Sequence, residues 1–120
     1  MPMTDRPLAT TTVPALAHDP ALAEIVRRLV ETYRPLRVYL FGSRARSSAT
    51  ADSDYDLMVI VPDDMPASLR RSARAYDALW GLPVGADVLV WTESAFSTRL
   101  HLRASLPSTI AREGRLLYSA

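Results

Sequence analysis

Two aspartates, Asp54 and Asp56, open an apolar segment and are the side chains in this sequence best suited to chemistry. If the segment is a β-strand, both carboxylates lie on one face of it, with their Cα atoms roughly 7 Å apart. Carboxylates at that spacing can ligate one hard cation or bridge two, because paired catalytic metals lie roughly 4 Å apart. The pair therefore predicts a metal site.

A Gly-Ser step, Gly42-Ser43, closes an earlier apolar segment and is separated from Asp54 by ten residues. A glycine at this point suits a turn that leaves backbone N–H groups for a ligand, and the serine hydroxyl lies beside them. We interpret the step as a phosphate contact next to the metal site. Arg44 and Arg46 follow, and two interpretations stay open for them: contact with phosphate, or surface charges that balance an acidic cleft.

A third carboxylate, Asp87, stands near the start of a later apolar segment and is the only carboxylate in it. Because an unpaired charge in a buried sheet is costly, we expect a cation or another partner for Asp87. Three carboxylates in one cleft repel one another and need positive charge to remain ionised. Hard oxygen ligands with room for phosphates favour Mg²⁺, with Mn²⁺ as a substitute.

Alternating apolar and polar segments indicate the elements that must position these side chains. Three apolar segments predict β-strands, over 36–41, 55–61 and 84–91. Four segments predict helices. The first runs from Asp19-Pro20 to Arg34, and the second is opened by Pro66, with inward-facing residues Leu69, Ala73, Tyr76 and Trp80. The third is capped by Thr92 and carries Phe96 and Leu100, and the fourth begins at Pro107 and is closed by Gly114. Residues 115–118 could add a short edge strand, and the polar stretch 47–53 predicts a loop.

The connections between the strands predict how the site is assembled. The link between the first two strands is short enough for antiparallel neighbours, which places Gly42-Ser43 beside the two aspartates. A strand, a helix and a strand in succession normally form a right-handed parallel crossover, which places Asp87 beside the start of the second strand. We therefore expect an α/β fold with a small mixed sheet flanked by helices.

Length and composition limit the classes of protein that this chain can represent. A chain of 120 residues indicates one domain, which we place at residues 18–120 after a flexible tail of residues 1–17. The net charge of +1 gives no sign of a nucleic-acid partner. The lack of cysteine excludes disulfides and thiolate metal sites, and no apolar run reaches the roughly 18 residues of a membrane span. We expect a cytoplasmic protein that does not bind membranes.

Gly42-Ser43, the ten-residue gap and Asp54-x-Asp56 together resemble the signature of nucleotidyltransferases of the DNA polymerase β superfamily, and the short chain resembles its minimal nucleotidyltransferase branch. The resemblance covers residues 36–118. It implies that Asp54 and Asp56 hold two Mg²⁺ ions and that Asp87 helps to hold the ion beside the attacking hydroxyl. It also implies that ATP is the substrate. Gly42, Ser43, Arg44 and Arg46 are then the candidate nucleotide-binding residues, with both interpretations still open for the two arginines. The family often has glycine where this chain has Ser47, a departure that affects the loop and not the metal ligands.

The same resemblance implies a partner. Minimal members are commonly paired with a HEPN-domain ribonuclease toxin, and they act as antitoxins of a type VII-like pair by transferring AMP to a hydroxyl of the toxin. We expect a partner, or a second copy of the chain, to complete the acceptor site. Two alternatives stay open: a non-catalytic, nucleotide-binding antitoxin that acts by complex formation, and an enzyme that modifies a small molecule such as an antibiotic and forms a homodimer.

Overall fold

The computed structural model describes residues 11–12, 18–46 and 53–120, and these residues form one mixed β-sheet flanked by helices. In chain order, the elements are β1 (Thr11–Thr12), α1 (Pro20–Tyr33), β2 (Arg37–Phe41), β3 (Tyr55–Val61), a 3₁₀ turn (Ala67–Leu69), α2 (Ala73–Ala78), β4 (Ala86–Thr92), α3 (Glu93–Ser97), α4 (Leu106–Glu113) and β5 (Arg115–Ser119). The predicted α/β fold is confirmed. Ser47 and most of the predicted polar loop lie outside the described residues.

The strands follow the order β1-β5-β2-β3-β4 across the sheet. β2 runs antiparallel to both β3 and β5, and β4 runs parallel to β3. The predicted antiparallel pairing of the first two strands and the predicted parallel pairing of the second and third are therefore confirmed. The strand predicted at residues 115–118 is confirmed as β5. Its predicted place at the edge of the sheet is wrong, because β5 lies between β2 and the two residues of β1. β1 falls within the expected tail of residues 1–17, the rest of which lies outside the described residues. The boundary at residue 18 stays a prediction.

β3 is the centre of the fold, and its apolar residues from Leu57 to Val61 are completely buried. On one face of the sheet, Leu57 and Val59 belong to the large core that α1 covers. On the other face, Met58 and Ile60 pack with buried residues of α3 and α4. A strand that is apolar on both faces must be covered on both sides, as the sequence predicted.

α1 begins and ends where its sequence requires. The side chain of Asp19 caps the helix by accepting a hydrogen bond from the Leu22 N–H at 3.0 Å, and Pro20 occupies the first turn. Arg34 ends the helix in the left-handed conformation, with φ 47°, directly before Pro35. The helix is thereby fixed across the sheet face that carries the large core.

The segment after β3 differs from its prediction. The expected helix is divided into the 3₁₀ turn and the six-residue α2, and all four residues expected to face inward are exposed: Leu69, Ala73, Tyr76 and Trp80. The residue that α2 buries is Ala75.

Two side chains explain why this segment faces outward. Arg74 donates hydrogen bonds to the carbonyls of Leu69 and Thr32, and the hydroxyl of Tyr33 donates to the carbonyl of Arg71 at 2.6 Å. These contacts hold the segment against α1, and so the aromatic side chains of α2 and of the following loop turn away from the core.

The C-terminal helices agree better with the sequence. Thr92 caps α3 by accepting from the Ala95 N–H, Phe96 is buried, and Gly114 follows α4. However, α3 ends at Ser97, so that it does not carry Leu100, which is exposed. Among the described residues, no helix has the length and apolar character needed to cross a membrane.

Candidate active site

The sheet brings the three predicted carboxylates into adjacent positions. In the antiparallel pair of β2 and β3, Asp56 lies opposite Phe41, the residue before Gly42. In the parallel pair of β3 and β4, Asp56 lies beside Asp87. Neighbouring strands are separated by about 4.8 Å, so the two aspartates extend from adjacent positions on one face. We call Asp54, Asp56 and Asp87 the carboxylate row.

Two glycines make room for this row. Gly42 has φ +75°, a conformation that favours glycine, and a Cβ atom built on it would collide with the Oδ2 atom of Asp56. A Cβ atom on Gly85 would collide in the same way with the Oδ1 atom of Asp54. Each carboxylate therefore lies against bare backbone. Gly85 was not predicted as a site residue, although its position two residues before Asp87, within the predicted strand 84–91, was a usable signal.

Electrostatic repulsion within the row is visible at Asp56. Partial burial raises the pKa of the Asp56 carboxyl above its ordinary value, and the negative charges of Asp87 and Asp54 raise it further. Arg46 lowers the pKa of the same carboxyl but does not offset these effects. The ionised row is therefore short of positive charge, and a bound cation would relieve this.

The exposure of Asp87 differs from what was expected. Asp87 was expected to be a charge in a buried sheet, but its side chain is exposed, near the start of β4, the edge strand of the described sheet. Asp54 is also exposed, whereas Asp56 is half-buried. The argument that burial alone demands a partner for Asp87 is therefore wrong. Its place beside Asp56 is what connects it with the site.

The donor set fits a hard divalent cation. Within residues 18–46 and 53–120, no three side chains among His, Cys, Asp and Glu are already grouped closely enough to hold a metal ion. However, the row supplies carboxylate oxygens alone, the ligands that Mg²⁺ prefers together with substrate phosphates. Asp54 and Asp87 are exposed, so that their side chains have room to rotate toward Asp56.

The turn after β2 lies on one side of the row. The N–H groups of Ala45 and Arg46 donate to the Gly42 carbonyl at 3.1 and 3.2 Å, and Arg115 donates to the Ala45 carbonyl. A single helical turn therefore begins at Gly42 and contains Ser43 and both candidate arginines. We call residues 42–46 the phosphate turn, a name that states its predicted role.

The structure distinguishes Arg44 from Arg46. Through Nε and Nη2, Arg44 donates to the Ser53 carbonyl at 2.9 and 2.7 Å, and its guanidinium lies 4.0 Å from the ring centroid of Tyr55. Two of its guanidinium nitrogens are thus engaged in fixing the backbone directly before Asp54. Arg46 is exposed and acts on the charge of Asp56. Phosphate contact stays a prediction for both, and the geometry favours Arg46.

Comparison with known proteins places this geometry in a family. The sequence model of the nucleotidyltransferase domain family matches residues 21–117, which is most of the chain. The chain belongs to the nucleotidyltransferase domain family. The resemblance recognised in the sequence is therefore confirmed, and with it membership of a family of transferases. A search among curated proteins gave no match.

Solved structures share the fold. A toxin–antitoxin crystal structure with AMP-PNP has 20% sequence identity and a TM-score of 0.57, and the match covers 82% of this chain and 73% of the other. A mutant of the toxin–antitoxin MntA–HpeT has 20% identity and a TM-score of 0.56 over the same shares. A candidate nucleotidyltransferase from Sulfolobus solfataricus has 26% identity and a TM-score of 0.50, over 66% of this chain and 70% of the other.

Proposed function

We propose that this chain transfers AMP from ATP, with Mg²⁺, to a hydroxyl group on a partner protein. The partner we propose is a HEPN-domain toxin, for which this chain would serve as antitoxin in the cytoplasm. The observation that carries the proposal is the carboxylate row beside the phosphate turn, in a chain of the nucleotidyltransferase family. The toxin–antitoxin structures with the same fold support the choice of partner.

Each residue of the site has a role in this reaction. Asp54 and Asp56 would hold two Mg²⁺ ions, and Asp87 would hold the ion nearer to the acceptor. When bound, the ions neutralise phosphate charge and lower the pKa of the attacking hydroxyl. Gly42, Ser43 and Arg46 would contact the phosphates, and Arg44 would keep the backbone before Asp54 in place.

The chemistry is an in-line displacement at the α-phosphorus of ATP. The acceptor oxygen forms a bond to the α-phosphorus, the bond from that phosphorus to the oxygen bridging it to the β-phosphorus breaks, and pyrophosphate leaves. The acceptor proton passes to solvent. Positioning and charge neutralisation supply most of the rate enhancement in such transfers. The row would contribute through the cations it holds, and the turn through Arg46.

The test is transfer of label from α-labelled ATP. The purified chain is incubated with Mg²⁺ and the product of its neighbouring gene, where a paired toxin is expected to be encoded, beside the double variant Asp54→Asn/Asp56→Asn. Asp64→Asn removes an exposed carboxylate outside the row and serves as the matched control. We expect the wild type and the control to label the partner protein, and the double variant to leave it unlabelled. Equal labelling by the double variant would refute the proposed role of the row.

A second candidate function is neutralisation by complex formation without transfer. Leu100 and Leu102, after α3, expose 40% and 49% of their surface, and exposed apolar side chains of this kind favour contact with a protein. If this alternative holds, a tight complex with the neighbouring gene product survives the double substitution and no label is transferred. Modification of a small molecule by a homodimer stays a prediction, which no feature of the described residues favours.

A further inference from the structure

A cleft of about 660 Å³ opens beside the carboxylate row, and Asp54 belongs to both. Its other walls come from Tyr76 of α2 and from the segment that leads from α2 into β4. We call it the Trp80 cleft, after the tryptophan of that segment. Pockets of this volume accommodate small organic ligands and cofactors.

The cleft and Asp87 belong to opposite faces of β4. Ala86 lines the cleft, and with Leu82 and Val84 it packs against the large core that α1 covers. Asp87 is the next residue of the strand, and successive side chains of a strand point to opposite faces. Neither Asp56 nor Asp87 is among the described residues that line the cleft. The acceptor hydroxyl, which the proposed function places beside the ion on Asp87, is therefore expected to approach from outside the cleft.

The position of the cleft suits the nucleoside part of the substrate. The phosphate turn follows β2, the cleft lies at the start of β4, and β3 runs between the two strands. Neighbouring strands are about 4.8 Å apart, so about 10 Å separates the turn from the cleft. A nucleotide with its β- and γ-phosphates on the turn and its α-phosphate at the row can extend its ribose and base into the cleft. Because the ribose and the attacking hydroxyl take different positions around the α-phosphorus, the base and the acceptor need separate spaces.

Charge also favours the base of a nucleotide as the occupant. Among the described residues that line the cleft, Asp54 alone is charged, and the cation that it would share with Asp56 offsets that charge. The phosphates would lie outside the cleft, with the cations and Arg46, and the uncharged base would lie inside it. Apolar and aromatic side chains form most of the remaining wall, so a flat ring buries surface there without losing an ionic contact.

Trp80 is placed to stack against that base. Its side chain is exposed over 85% of its surface, whereas tryptophan is normally well buried. Its backbone is held in place, because Arg28 donates to the carbonyls of Ala78 and Trp80 at 3.2 and 3.1 Å. Tyr76, exposed over 56%, lies in the same wall. Stacking of a base on one aromatic side chain contributes about tenfold to affinity.

We propose that the Trp80 cleft binds the nucleobase of the substrate triphosphate, stacked on the Trp80 ring, and that it favours purines. Besides Asp54, the described side chains of the wall offer two hydrogen-bonding groups, the Tyr76 hydroxyl and the Trp80 indole N–H. Neither is a side-chain amide or a guanidinium, the groups that read the edge of a base through two hydrogen bonds. Selection therefore depends on stacked ring area, which is larger for a purine than for a pyrimidine. The Trp80 site rests on the proposed function and adds to it the residue that selects the nucleotide.

The first test observes Trp80 directly. The chain contains two tryptophans, so Trp91→Phe leaves Trp80 as the only one, and Trp80→Phe leaves Trp91. Each variant is titrated in Mg²⁺ with ATP, UTP and tripolyphosphate, with excitation at the red edge of tryptophan absorption. We expect ATP to quench Trp80 emission, UTP to require about fivefold higher concentration, and tripolyphosphate to leave the emission unchanged. Trp91 emission should not respond.

Three results of this titration would overturn the proposal. They are quenching by tripolyphosphate equal to that by ATP, binding of ATP without any quenching of Trp80, and equal affinity for ATP and UTP. The first would show that phosphate alone affects the ring. The second would place the base elsewhere, and the third would remove the preference for purines.

The second test measures nucleotide affinity by titration calorimetry with Trp80→Ala, beside Leu69→Ala as a control that removes an exposed apolar side chain outside the cleft. We expect Trp80→Ala to raise the Kd for Mn²⁺ with a non-hydrolysable ATP analogue about tenfold, and to leave the Kd for Mn²⁺ with tripolyphosphate unchanged. In transfer assays, the KM for ATP should rise while the KM for the partner protein stays the same. The transition temperature of the variant should stay close to that of wild type, because Trp80 is exposed. An unchanged Kd for the analogue, or a raised KM for the partner protein alone, would overturn the proposal.

The proposed reaction and the base site fail in different ways. If ATP quenches Trp80 emission but no label reaches the partner protein, the reaction is wrong and the base site is correct. If the wild type and Trp80→Ala transfer label with the same KM for ATP, the reaction is correct and the base site is wrong. If no ATP binds to the wild type, both are wrong.

Discussion

Replacing Gly42, Gly85 and Gly81 by alanine, one at a time, separates backbone strain from displacement of a carboxylate. Gly81 has φ +90° with nothing near the position of a Cβ atom, so Gly81→Ala introduces strain alone. Gly85 has no left-handed φ, so Gly85→Ala introduces only the collision with Asp54. Gly42 combines a left-handed φ with the collision with Asp56, and Gly42→Ala introduces both.

The expected magnitudes follow from these differences. A left-handed alanine costs about 1 kcal/mol of folding free energy, which corresponds to about 4 °C in the transition temperature of a domain of this size. Gly81→Ala should lose that amount and Gly42→Ala somewhat more. Gly85→Ala should stay within about 0.5 kcal/mol of wild type, because an exposed carboxylate can rotate away at little cost.

Binding of a metal nucleotide should follow the opposite pattern. When an aspartate relieves a collision by rotating, the chain loses little folding free energy. However, the carboxylate that would ligate the metal is displaced. We expect Gly42→Ala and Gly85→Ala to raise the Kd for Mn²⁺ with a non-hydrolysable ATP analogue by at least about tenfold, and Gly81→Ala to leave it unchanged. Urea unfolding and titration calorimetry give the two quantities. Equal Kd values for all three variants would refute the assignment of the carboxylate row.

Three further predictions concern groups around the row. Arg44→Ala removes both hydrogen bonds to the Ser53 carbonyl and the contact with the Tyr55 ring, and it should lower the free energy of unfolding by about 2 kcal/mol. Tyr55→Phe removes the hydrogen bond that the Tyr55 hydroxyl donates to Asp19 at 2.8 Å, and urea unfolding should show a loss of about 1.5 kcal/mol. Folding raises the pKa of Asp56, so the stability of the metal-free chain should fall as the pH rises from the ordinary carboxyl range through the raised pKa. Asp56→Asn should remove this part of the pH dependence. The same substitution should stabilise the metal-free chain at pH 7.

Each of these predictions has a control and a contradicting result. Arg44→Lys keeps the charge but not the two-nitrogen contact, so full stability in this variant would show that charge alone matters. Phe and Tyr differ only by the hydroxyl, and an unchanged urea midpoint for Tyr55→Phe would show that its bond to Asp19 contributes nothing. Thermal unfolding in EDTA from pH 4 to 8 tests Asp56, and an Asp56→Asn chain that is less stable than wild type at pH 7 would contradict the account.

Much of the site could be predicted because it depends on local sequence. β3 was predicted with the bounds it has, since its apolar run is continuous and ends at Pro62. The short link between β2 and β3 favoured an antiparallel pair, which was enough to place Gly42 beside Asp56. The crossover through α2 to β4 then placed Asp87 correctly.

The remainder depends on contacts between distant parts of the chain. The place of Asp87 on an edge strand follows from β5 pairing with β2, which leaves β4 at the edge. Trp80 was expected to face inward, since apolar residues at helical spacing are usually buried. Its outward direction follows from hydrogen bonds between Arg74, Tyr33 and distant backbone carbonyls, which no periodicity within α2 reveals.

The most direct test of the central claim compares α-labelled with γ-labelled ATP in one reaction with Mg²⁺ and the neighbouring gene product. Nucleotidyl transfer breaks the bond between the α-phosphorus and the β–γ portion of ATP. The account therefore predicts that the α label moves to the partner protein, that the γ label leaves as pyrophosphate, and that Asp54→Asn/Asp56→Asn stops both. If the γ label moved to the partner instead, or if the α label moved without the row, the account would be contradicted.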